Sequence, residues 1–331
     1  MSQAQSDVVG IGSAIVDIIG RCDDAFLAKH GCAKGSMQLV DPVQFAKLYD
    51  GMGPGIEASG GSVANTIAGV SSFGGKGVFI GTVADDEFGR IFTHDIRALG
   101  VAFNSTPVKG KTPTSRSLIL VTPDGERTMN TFLGISTQFE AAQLDEKLIA
   151  GGHILYLEGY LFDTPEAKAA FRKGAALAKK AGRKVALSLS DAFCVDRHRD
   201  EFLAFIKSDV DIVFANESEI TSLYKTTSFD DAVKHAKTDT KLAAITRGAK
   251  DSVIVRGTEV LTIAVEPVAK VVDTTGAGDL YAAGFLFGVA RNLDLAKAGR
   301  LGSIAAAEII SHIGARPEAN LAGLAKAKGL L

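Results

Sequence analysis

The later half of the chain alternates regularly between short apolar runs and longer helical patterns. The runs "HILYLEG" (153–159), "KVALSLS" (184–190) and "DIVFAN" (211–216) are each followed by a segment with helical character. Two parallel strands need a crossover of about a dozen residues or more, and that crossover is usually a helix. The alternation therefore predicts an α/β fold, a doubly wound and mostly parallel sheet flanked by helices. An earlier apolar run, "DVVGIG" (7–12), predicts the first buried strand.

Two segments do not follow this alternation. In "TSRSLILVTPDGERTMNTF" (114–132), Pro123-Asp124-Gly125 separates two β-type runs, which predicts a hairpin. The region between the first strand and residue 45 is rich in turn residues. We therefore expect one domain, residues 1–331, with a small β appendage formed by two insertions at about 13–45 and 101–134.

Composition excludes several classes of function. Lys and Arg number 36 and Asp and Glu 38, a net charge of 36 − 38 = −2, and the chain contains no basic block. Because binding to a phosphate backbone needs clustered Lys and Arg, we expect no nucleic-acid partner. The longest apolar run, residues 280–290, is too short to cross a bilayer, so we expect no membrane partner.

The cysteines and the N-terminus indicate the compartment. The three cysteines, Cys22, Cys32 and Cys194, are odd in number and contain no C-x-x-C pair, which predicts free thiols in a reducing compartment. The segment "MSQAQSDVVGIG" has no charged region before an apolar core, so we expect no signal peptide. Both observations predict a cytoplasmic protein.

The stretch "DTTGAGDLYAAGF" (273–285) carries an acid on a glycine turn at the start of a helical segment. Such a turn directs backbone N–H groups at one point, where the helix dipole also favours an anion. Asp279 beside a bound phosphate would be repulsive unless it accepts a proton from the attacking hydroxyl. The alternative is that Asp279 only stabilises the helix start, where acids are favoured. The glycine turn before it favours a hydroxyl kinase with Asp279 as the general base.

A second glycine cluster, "SGGSVANT" (59–66), predicts a substrate site. The glycine pair that includes Gly61 lets a substrate approach the backbone closely. Asn65 can both donate to and accept from a sugar hydroxyl. Ser62 is expected to be the N-cap of the following helix, a role compatible with substrate binding.

The third candidate is Asp17 in "GIGSAIVD" (10–17). We expect it just past the first strand, where ligands bind in open α/β sheets. A carboxylate there could accept from two vicinal hydroxyls, whereas a capping or turn role is the alternative. The predicted substrate site is therefore Asp17, Gly61, Ser62 and Asn65.

Two long motifs together resemble the signatures of the ribokinase (PfkB) family of carbohydrate and nucleoside kinases. They are "GGSVANTIAGVSSFGGKGVFIGTVADDEFG" (60–89) and "DTTGAGDLYAAGFL" (273–286), and the resemblance covers nearly the whole chain. It implies a doubly wound sheet with a β-lid, and ATP and Mg²⁺ as cofactors. It also implies Asp279 as the base and Gly276, Ala277 and Gly278 as the anion hole.

Shorter marks of the family imply the nucleotide site. "NESE" (216–219) resembles the family's N-x-x-E, which implies Asn216 near the nucleotide and Glu219 in the magnesium–phosphate network, acting indirectly. "TRG" (246–248) resembles the nucleotide-loop T-x-G and implies Thr246 and Gly248. Many members have a second glycine three residues later, and this chain has Asp251 there.

The resemblance has two further consequences. It suggests a potassium site near Asp273 and the segment 311–314. It leaves the oligomeric state open between monomer and homodimer, because a β-lid can cover one site or pair with another lid.

Within the family the chain looks most like the adenosine kinases, through "ASGGSVANT" (58–66) and "GARP" (314–317). A nucleoside needs an apolar slot beside the ribose site, and such residues more commonly pack a core. The slot candidates are Met37, Leu39, Phe132, Tyr160 and Leu161.

The expected reaction is therefore transfer of the γ-phosphoryl group of ATP to the hydroxymethyl group of a nucleoside, adenosine giving AMP. A sugar kinase acting on ribose, fructose or a sugar acid is the alternative. A non-catalytic regulator that binds a nucleoside or sugar is the second alternative. An inactive relative would be expected to lose the base or the glycine turn, and both are intact here.

Overall fold

The computed structural model describes residues 4–331. Residues 1–3, the start of the segment in which we expect no signal peptide, lie outside it. A nine-stranded sheet in the order β14-β13-β12-β11-β10-β9-β1-β5-β6 forms the centre of the molecule. Its strands are β1 (Ser6–Ile11), β5 (Gly77–Ile80), β6 (Ala102–Phe103), β9 (Gly152–Glu158), β10 (Lys184–Ser188), β11 (Ile212–Asn216), β12 (Ala243–Arg247), β13 (Lys250–Arg256) and β14 (Glu259–Ile263).

The pairing of the central sheet is parallel from β6 to β12 and antiparallel only at β12–β13 and β13–β14. This confirms the predicted doubly wound, mostly parallel sheet. The helices are α1 (Asp24–His30), α2 (Pro42–Gly51), α3 (Ser62–Ser72), α4 (Glu87–Ala98), α5 (Glu146–Gly151), α6 (Pro165–Lys180), α7 (Ala192–Asp209), α8 (Glu217–Leu223), α9 (Phe229–Asp239), α10 (Ala277–Ala290), α11 (Leu295–Ile309) and α12 (Leu321–Ala327).

The core lies on both faces of the central sheet because successive strand residues point to opposite sides. On β1, Val8 belongs to the cluster that packs beneath α3, α10 and α11. Its neighbour Val9 belongs to the cluster covered by α6, α7 and α9. Both side chains are completely buried. This two-sided burial explains why the strands are nearly continuous apolar runs.

A second sheet of five strands, in the order β3-β8-β7-β2-β4, forms what we call the lid sheet. Its strands are β2 (Ile15–Arg21), β3 (Met37–Leu39), β4 (Gly55–Gly60), β7 (Ser115–Val121) and β8 (Arg127–Phe132). The strands β7 and β8 form an antiparallel pair around the turn at Pro123-Asp124-Gly125, as predicted.

The bounds predicted for the appendage need correction at both insertions. The lid sheet includes β4 (Gly55–Gly60), beyond the predicted limit of residue 45, because β4 pairs with β2 although its sequence "GIEASG" has no β-type pattern. The pair Ala102–Phe103 belongs to the central sheet, where β6 lies parallel to β5. The organisation as one domain with an inserted sheet stays a prediction.

One face of the lid sheet is covered by its own helices. Ile18 and Leu118 of the sheet are buried against Leu27 of α1 and Phe45 and Leu48 of α2. The alternation of side chains along β2 then turns Asp17 to the opposite face, toward the central sheet. The helices thus fix which residues of the lid sheet can contact a ligand.

Across residues 4–331, no helix is both long enough and apolar enough to span a membrane.

Candidate active site

A cavity of about 900 Å³ lies between the lid sheet and the carboxyl ends of the central strands. Of the residues predicted for the site, all but Asp273 line this cavity: Asp17, Gly61, Ser62, Asn65, Asn216, Glu219, Thr246, Gly248, Gly276, Ala277, Gly278 and Asp279. These residues come from positions far apart in the chain. The fold therefore brings the predicted substrate, phosphate and nucleotide segments to one place.

The start of α10 forms the predicted anion-binding turn. Gly276 is the N-cap with φ of 79°, a left-handed conformation that glycine adopts without strain. The N–H of Ala277 donates to the carbonyl of Thr274 at 3.2 Å, which corrects its predicted place among the open donors. In the described residues, the N–H groups of Gly278 and Asp279 have no partner and are available to an anion.

The carboxylate of Asp279 is held by two side chains of α3. Ser62 Oγ donates to Oδ1 at 2.6 Å and Asn65 Nδ2 donates to Oδ2 at 2.8 Å. Burial raises the pKa of Asp279, whereas the two donors and the charge of Arg316 favour the ionised form. In its ionised form, this fixed and buried carboxylate at the end of an anion-binding turn can accept a proton from a nearby hydroxyl.

The structure changes the roles expected within "SGGSVANT". Gly61, not Ser62, is the N-cap of α3, with φ of 92°, and a β-carbon on Gly61 would overlap the carbonyl of Ser13. The hydroxyl of Ser62 does not cap the helix and instead donates a hydrogen bond to Asp279. Asn65 donates to the same carboxylate, and its Oδ1 is buried without a partner. Since buried acceptors are normally satisfied, a substrate hydroxyl would complete this group.

Asp17, expected just past the first strand, lies within β2 of the lid sheet. In sequence, β2 looks like a continuation of β1. It is recognised as a strand of the lid sheet by its pairing with β4 and β7. No described residue donates a hydrogen bond to its carboxylate. Burial raises its pKa to about 7, against the opposing charges of Arg316 and Arg127.

Arg316 is a half-buried residue of this region that sequence analysis did not assign. Its guanidinium donates to the carbonyls of Ser59 at 3.0 Å, Gly60 at 3.2 Å, and Ala64. Burial lowers its pKa to about 10, and the charges of Asp17 and Asp279 oppose that shift. The "GARP" motif that contains it was the only signal in the sequence. Arg316 therefore fixes the backbone at Gly60 and Gly61 before α3. It also supplies positive charge near the carboxylates of Asp17 and Asp279.

The predicted nucleotide residues lie at the ends of β11 and β12. Asn216 and Glu219 form a reciprocal capping box at the start of α8, in which Glu219 Oε2 accepts from the N–H of Asn216 at 2.9 Å. Burial raises the pKa of Glu219 to about 7. Gly248 adopts φ of 62° after Thr246 in the turn that follows β12. Asp251 lies in β13, where Oδ1 accepts from the N–H of Val265 at 3.1 Å.

Comparison with known proteins decides the family. The family model described as pfkB family carbohydrate kinase matches residues 57–320, well over half of the chain. The chain belongs to the PfkB family. It is therefore a kinase, a phosphotransferase that acts on a hydroxyl group.

Individual relatives of this PfkB kinase carry different names. The crystal structure of adenosine kinase from Sinorhizobium meliloti is 50% identical, with a TM-score of 0.94, and the match covers 98% of this chain and 100% of that one. A probable sugar kinase from Rhizobium etli CFN 42 is 46% identical, with a TM-score of 0.96, covering 99% and 100%. The probable fructokinase-6, chloroplastic, of Arabidopsis thaliana is 31% identical over 72% of this chain and 64% of its own length, less than two thirds.

The residues of this PfkB kinase fit the ATP and Mg²⁺ that its family implies. Apart from Gly278, its chain neighbours and the adjoining backbone of α10, no protein atom lies within 4 Å of the place where a β-carbon on Gly278 would stand, so a phosphate could approach the open N–H groups. Mg²⁺ keeps several waters and takes one or two carboxylates together with substrate phosphates. Glu219 lines the cavity and fits such an indirect role.

The residues around Asp273 do not fit the potassium ion that was expected there. The structure does bring Asp273 to the 311–314 segment, since Gly314 N–H donates to its Oδ2 at 2.9 Å. Its Oδ1 accepts from the N–H of Thr275 at 2.9 Å. The guanidinium of Arg127 forms an ion pair with Oδ2 at 2.7 Å. The carboxylate is therefore already paired with a cation of the protein, the guanidinium of Arg127.

Replacing Gly278 tests the phosphate position. We expect Gly278→Val to weaken binding of the non-hydrolysable β,γ-imido analogue of ATP by roughly tenfold to a hundredfold, the equivalent of one lost hydrogen bond to a charged group. The protein should still fold, because the added methyl groups would enter the cavity and not a neighbouring element. Calorimetric titration with this analogue and Mg²⁺ measures the loss, and Gly278→Ala should give a smaller one. Equal affinities for all three proteins would contradict this position.

Proposed function

We propose that this kinase phosphorylates a purine nucleoside, converting adenosine to AMP with ATP as the donor. The carrying observation is an apolar slot on the face of the lid sheet that borders the cavity. A free sugar would leave this slot empty, whereas the base of a nucleoside would fill it. Ribose, fructose or a sugar acid is the alternative acceptor.

Two methionines form the centre of the slot. Met37 of β3 and Met129 of β8 are cross-strand neighbours, and both line the cavity. Methionine makes favourable contacts with aromatic rings through its polarisable sulfur. Leu39 extends the slot along β3, and Met37 is 38% exposed although it is apolar. An exposed apolar surface inside a cavity is expected to bind an apolar part of a ligand.

The slot corresponds only in part to the residues expected from the sequence. Met37, Leu39 and Tyr160 line the cavity. Phe132 packs in the lid core and Leu161 in the main core, so neither borders it. Met129, which also lines the slot, was not predicted because it lies in an alternating hairpin strand whose two faces look alike in sequence.

The polar side of the lid sheet supports a sugar ring next to the slot. Asp17 and Ser117 are register partners on β2 and β7, and Ser117 Oγ shares a hydrogen bond of 2.8 Å with Thr131 on β8. A carboxylate and two hydroxyls thus form a row across three strands. A ribose whose vicinal hydroxyls bind Asp17 would have its base over the methionines of the neighbouring row.

The relatives add separate support. The adenosine kinase of Sinorhizobium meliloti is half identical to this chain over nearly its whole length. The probable sugar kinase of Rhizobium etli is almost as similar, so similarity alone does not decide the acceptor. The slot is what favours the nucleoside.

The chemistry follows from the residues around Asp279. Bound ATP supplies the γ-phosphoryl group. Asp279 accepts the proton of the acceptor hydroxyl as the oxygen–phosphorus bond forms, and the products are a phosphate ester and ADP. The N–H groups of Gly278 and Asp279 stabilise the charge that develops on the transferred group. Ser62 and Asn65 hold the carboxylate in place, and Asp17 positions the sugar.

The proposal predicts that a charge in the slot discriminates between acceptors. Met37→Asp should raise the KM for adenosine by about tenfold or more, since a lost apolar contact of about 1.4 kcal/mol has this effect. The KM for any free sugar that is a substrate should rise much less. The measurement is ADP release with ATP and Mg²⁺ across a panel of nucleosides and sugars.

Val43→Asp is the matched control, because Val43 is an exposed apolar residue of α2 in the same lid region that does not line the cavity. It should leave every KM unchanged. If wild-type protein releases ADP fastest with a free sugar, or if Met37→Asp affects adenosine and sugars equally, the proposed acceptor is wrong and the sugar alternative stands.

A further inference from the structure

Arg127 joins the lid sheet to the start of the anion-binding turn. It is the first residue of β8, and its Nη2 lies 2.7 Å from Oδ2 of Asp273, an ion-pair contact that is not aligned as a hydrogen bond. Its Nη1 donates to Oγ1 of Thr275. The Arg127 side chain is 11% exposed and that of Asp273 only 1%. A buried ion pair therefore lies directly before Gly276, the N-cap of α10.

Asp273 connects three parts of the chain. Besides Arg127, its carboxylate accepts from the N–H of Thr275 in the turn and from the N–H of Gly314 in the C-terminal segment. The carboxylate of Asp273 thus links the turn before α10 to the lid sheet and to the C-terminal segment. Since the N–H groups of Gly278 and Asp279 follow this turn directly, its position decides where the open donors point.

A buried carboxylate of this kind needs a counter-charge, because an unpaired ion in the interior is strongly unfavourable. The position of Asp273 is where the family resemblance suggests potassium. Arg127 already occupies one of its two oxygens, and a second cation at the same carboxylate would be repelled by the guanidinium. The lid sheet therefore supplies the charge that a monovalent cation would supply.

We propose that Arg127 is a positioning residue that replaces a monovalent cation at Asp273, so that anion binding at α10 does not depend on potassium. Arg127 acts through Asp273 and Thr275 on the turn, and not as a base or nucleophile. The proposal rests on the kinase family and not on the identity of the acceptor.

The test uses binding of the non-hydrolysable β,γ-imido analogue of ATP, which carries a γ-phosphate and needs no acceptor, so its result is independent of the adenosine proposal. The affinity of the full-length protein for this analogue with Mg²⁺ is measured by calorimetry in potassium and in tetramethylammonium at equal ionic strength. Wild-type protein should bind equally in both. Arg127→Met, which keeps the length of the side chain without its charge, should bind the analogue roughly tenfold to a hundredfold more weakly in tetramethylammonium. It should recover part of this loss in potassium.

Two variants separate positioning from a general loss of structure. Arg127→Lys retains the charge without the fork of the guanidinium and should fall between wild type and Arg127→Met. Lys34→Met removes another cation of the lid region, whose partners Asp24 and Asp124 are far more exposed, and should leave the affinity for the ATP analogue unchanged. Thermal unfolding confirms that each variant is folded.

A several-fold gain of wild-type affinity in potassium would overturn the proposal, because it would show that a cation still binds. Wild-type affinity of folded Arg127→Met in tetramethylammonium would overturn it as well, because the turn would then not need the charge.

Discussion

Asp279→Asn is expected to lower kcat by about 10² to 10⁴, the range for loss of a general base, while the affinity for the acceptor stays close to that of wild type. The amide fits the same contacts: its oxygen can accept from Asn65 Nδ2, and its NH₂ can donate to the hydroxyl of Ser62. It cannot accept the proton of the attacking hydroxyl. The variant therefore isolates the basicity of residue 279 from its shape.

Single-turnover kinetics measures the loss, and calorimetry with the acceptor measures binding. Asp230→Asn is the matched control, because Asp230 is an exposed acid in the first turn of α9 and the change removes the same kind of helix–dipole interaction. Wild-type activity should also fall at low pH as Asp279 becomes protonated, since burial raises its pKa. A variant that turns over at nearly the wild-type rate would remove Asp279 from the role of base.

The elements that sequence analysis predicted are those with a local signal. The parallel sheet could be inferred because each buried strand is a short apolar run with a helix after it. The start of α10 could be inferred because a left-handed N-cap requires glycine, and Gly276 has φ of 79°. In both cases neighbouring residues determine the conformation. The family motif and the physical reasoning therefore indicate the same turn.

The features that sequence analysis missed depend on partners far away in the chain. The contact of Arg127 with Thr275 joins residues 148 apart, and Arg316 binds the carbonyl of Ser59 across 257 residues. No local pattern marks Arg127 for its position, and the "GARP" motif was the only signal for Arg316. Ser62 was assigned to a cap because it begins a helix, but its hydroxyl binds Asp279, 217 residues later. The lid strand β4 was missed because the partner strand, not its own sequence, makes it a strand.

Asp17 was expected just past the first strand, and its surroundings in β2 of the lid sheet make its test sharper. Its carboxylate has no donor among the described residues, and it lies on the lid face opposite the helices α1 and α2. A β-carbon on Gly60 would overlap this carboxylate, so the glycine makes room for it. Two hydroxyl groups of a sugar would donate the hydrogen bonds that this carboxylate lacks. Such charge-assisted hydrogen bonds are the stronger kind.

Asp17→Asn is expected to raise the KM for the acceptor by roughly two orders of magnitude, because two hydrogen bonds to a charged group contribute about 3 kcal/mol or more. The Kd for ADP should be unchanged, since the open donors for phosphate belong to α10. Steady-state kinetics gives the KM and calorimetry the Kd. The matched control is Asp50→Asn, the same change at an exposed residue of α2.

Two comparisons decide whether Asp17 binds hydroxyls or only supports the strand. Burial raises the pKa of Asp17 to about 7 in the free protein. Bound hydroxyl donors favour the ionised form, so the affinity for the acceptor should rise with pH up to about 7 and then level off. In Asp17→Asn this rise should disappear. Wild-type protein should also reject 2′-deoxy and 3′-deoxy acceptors far more strongly than the variant does, because a missing hydroxyl leaves the carboxylate without its donor. If the variant rejects the deoxy compounds as strongly as wild type and keeps the same pH dependence, the carboxylate of Asp17 does not contact the acceptor.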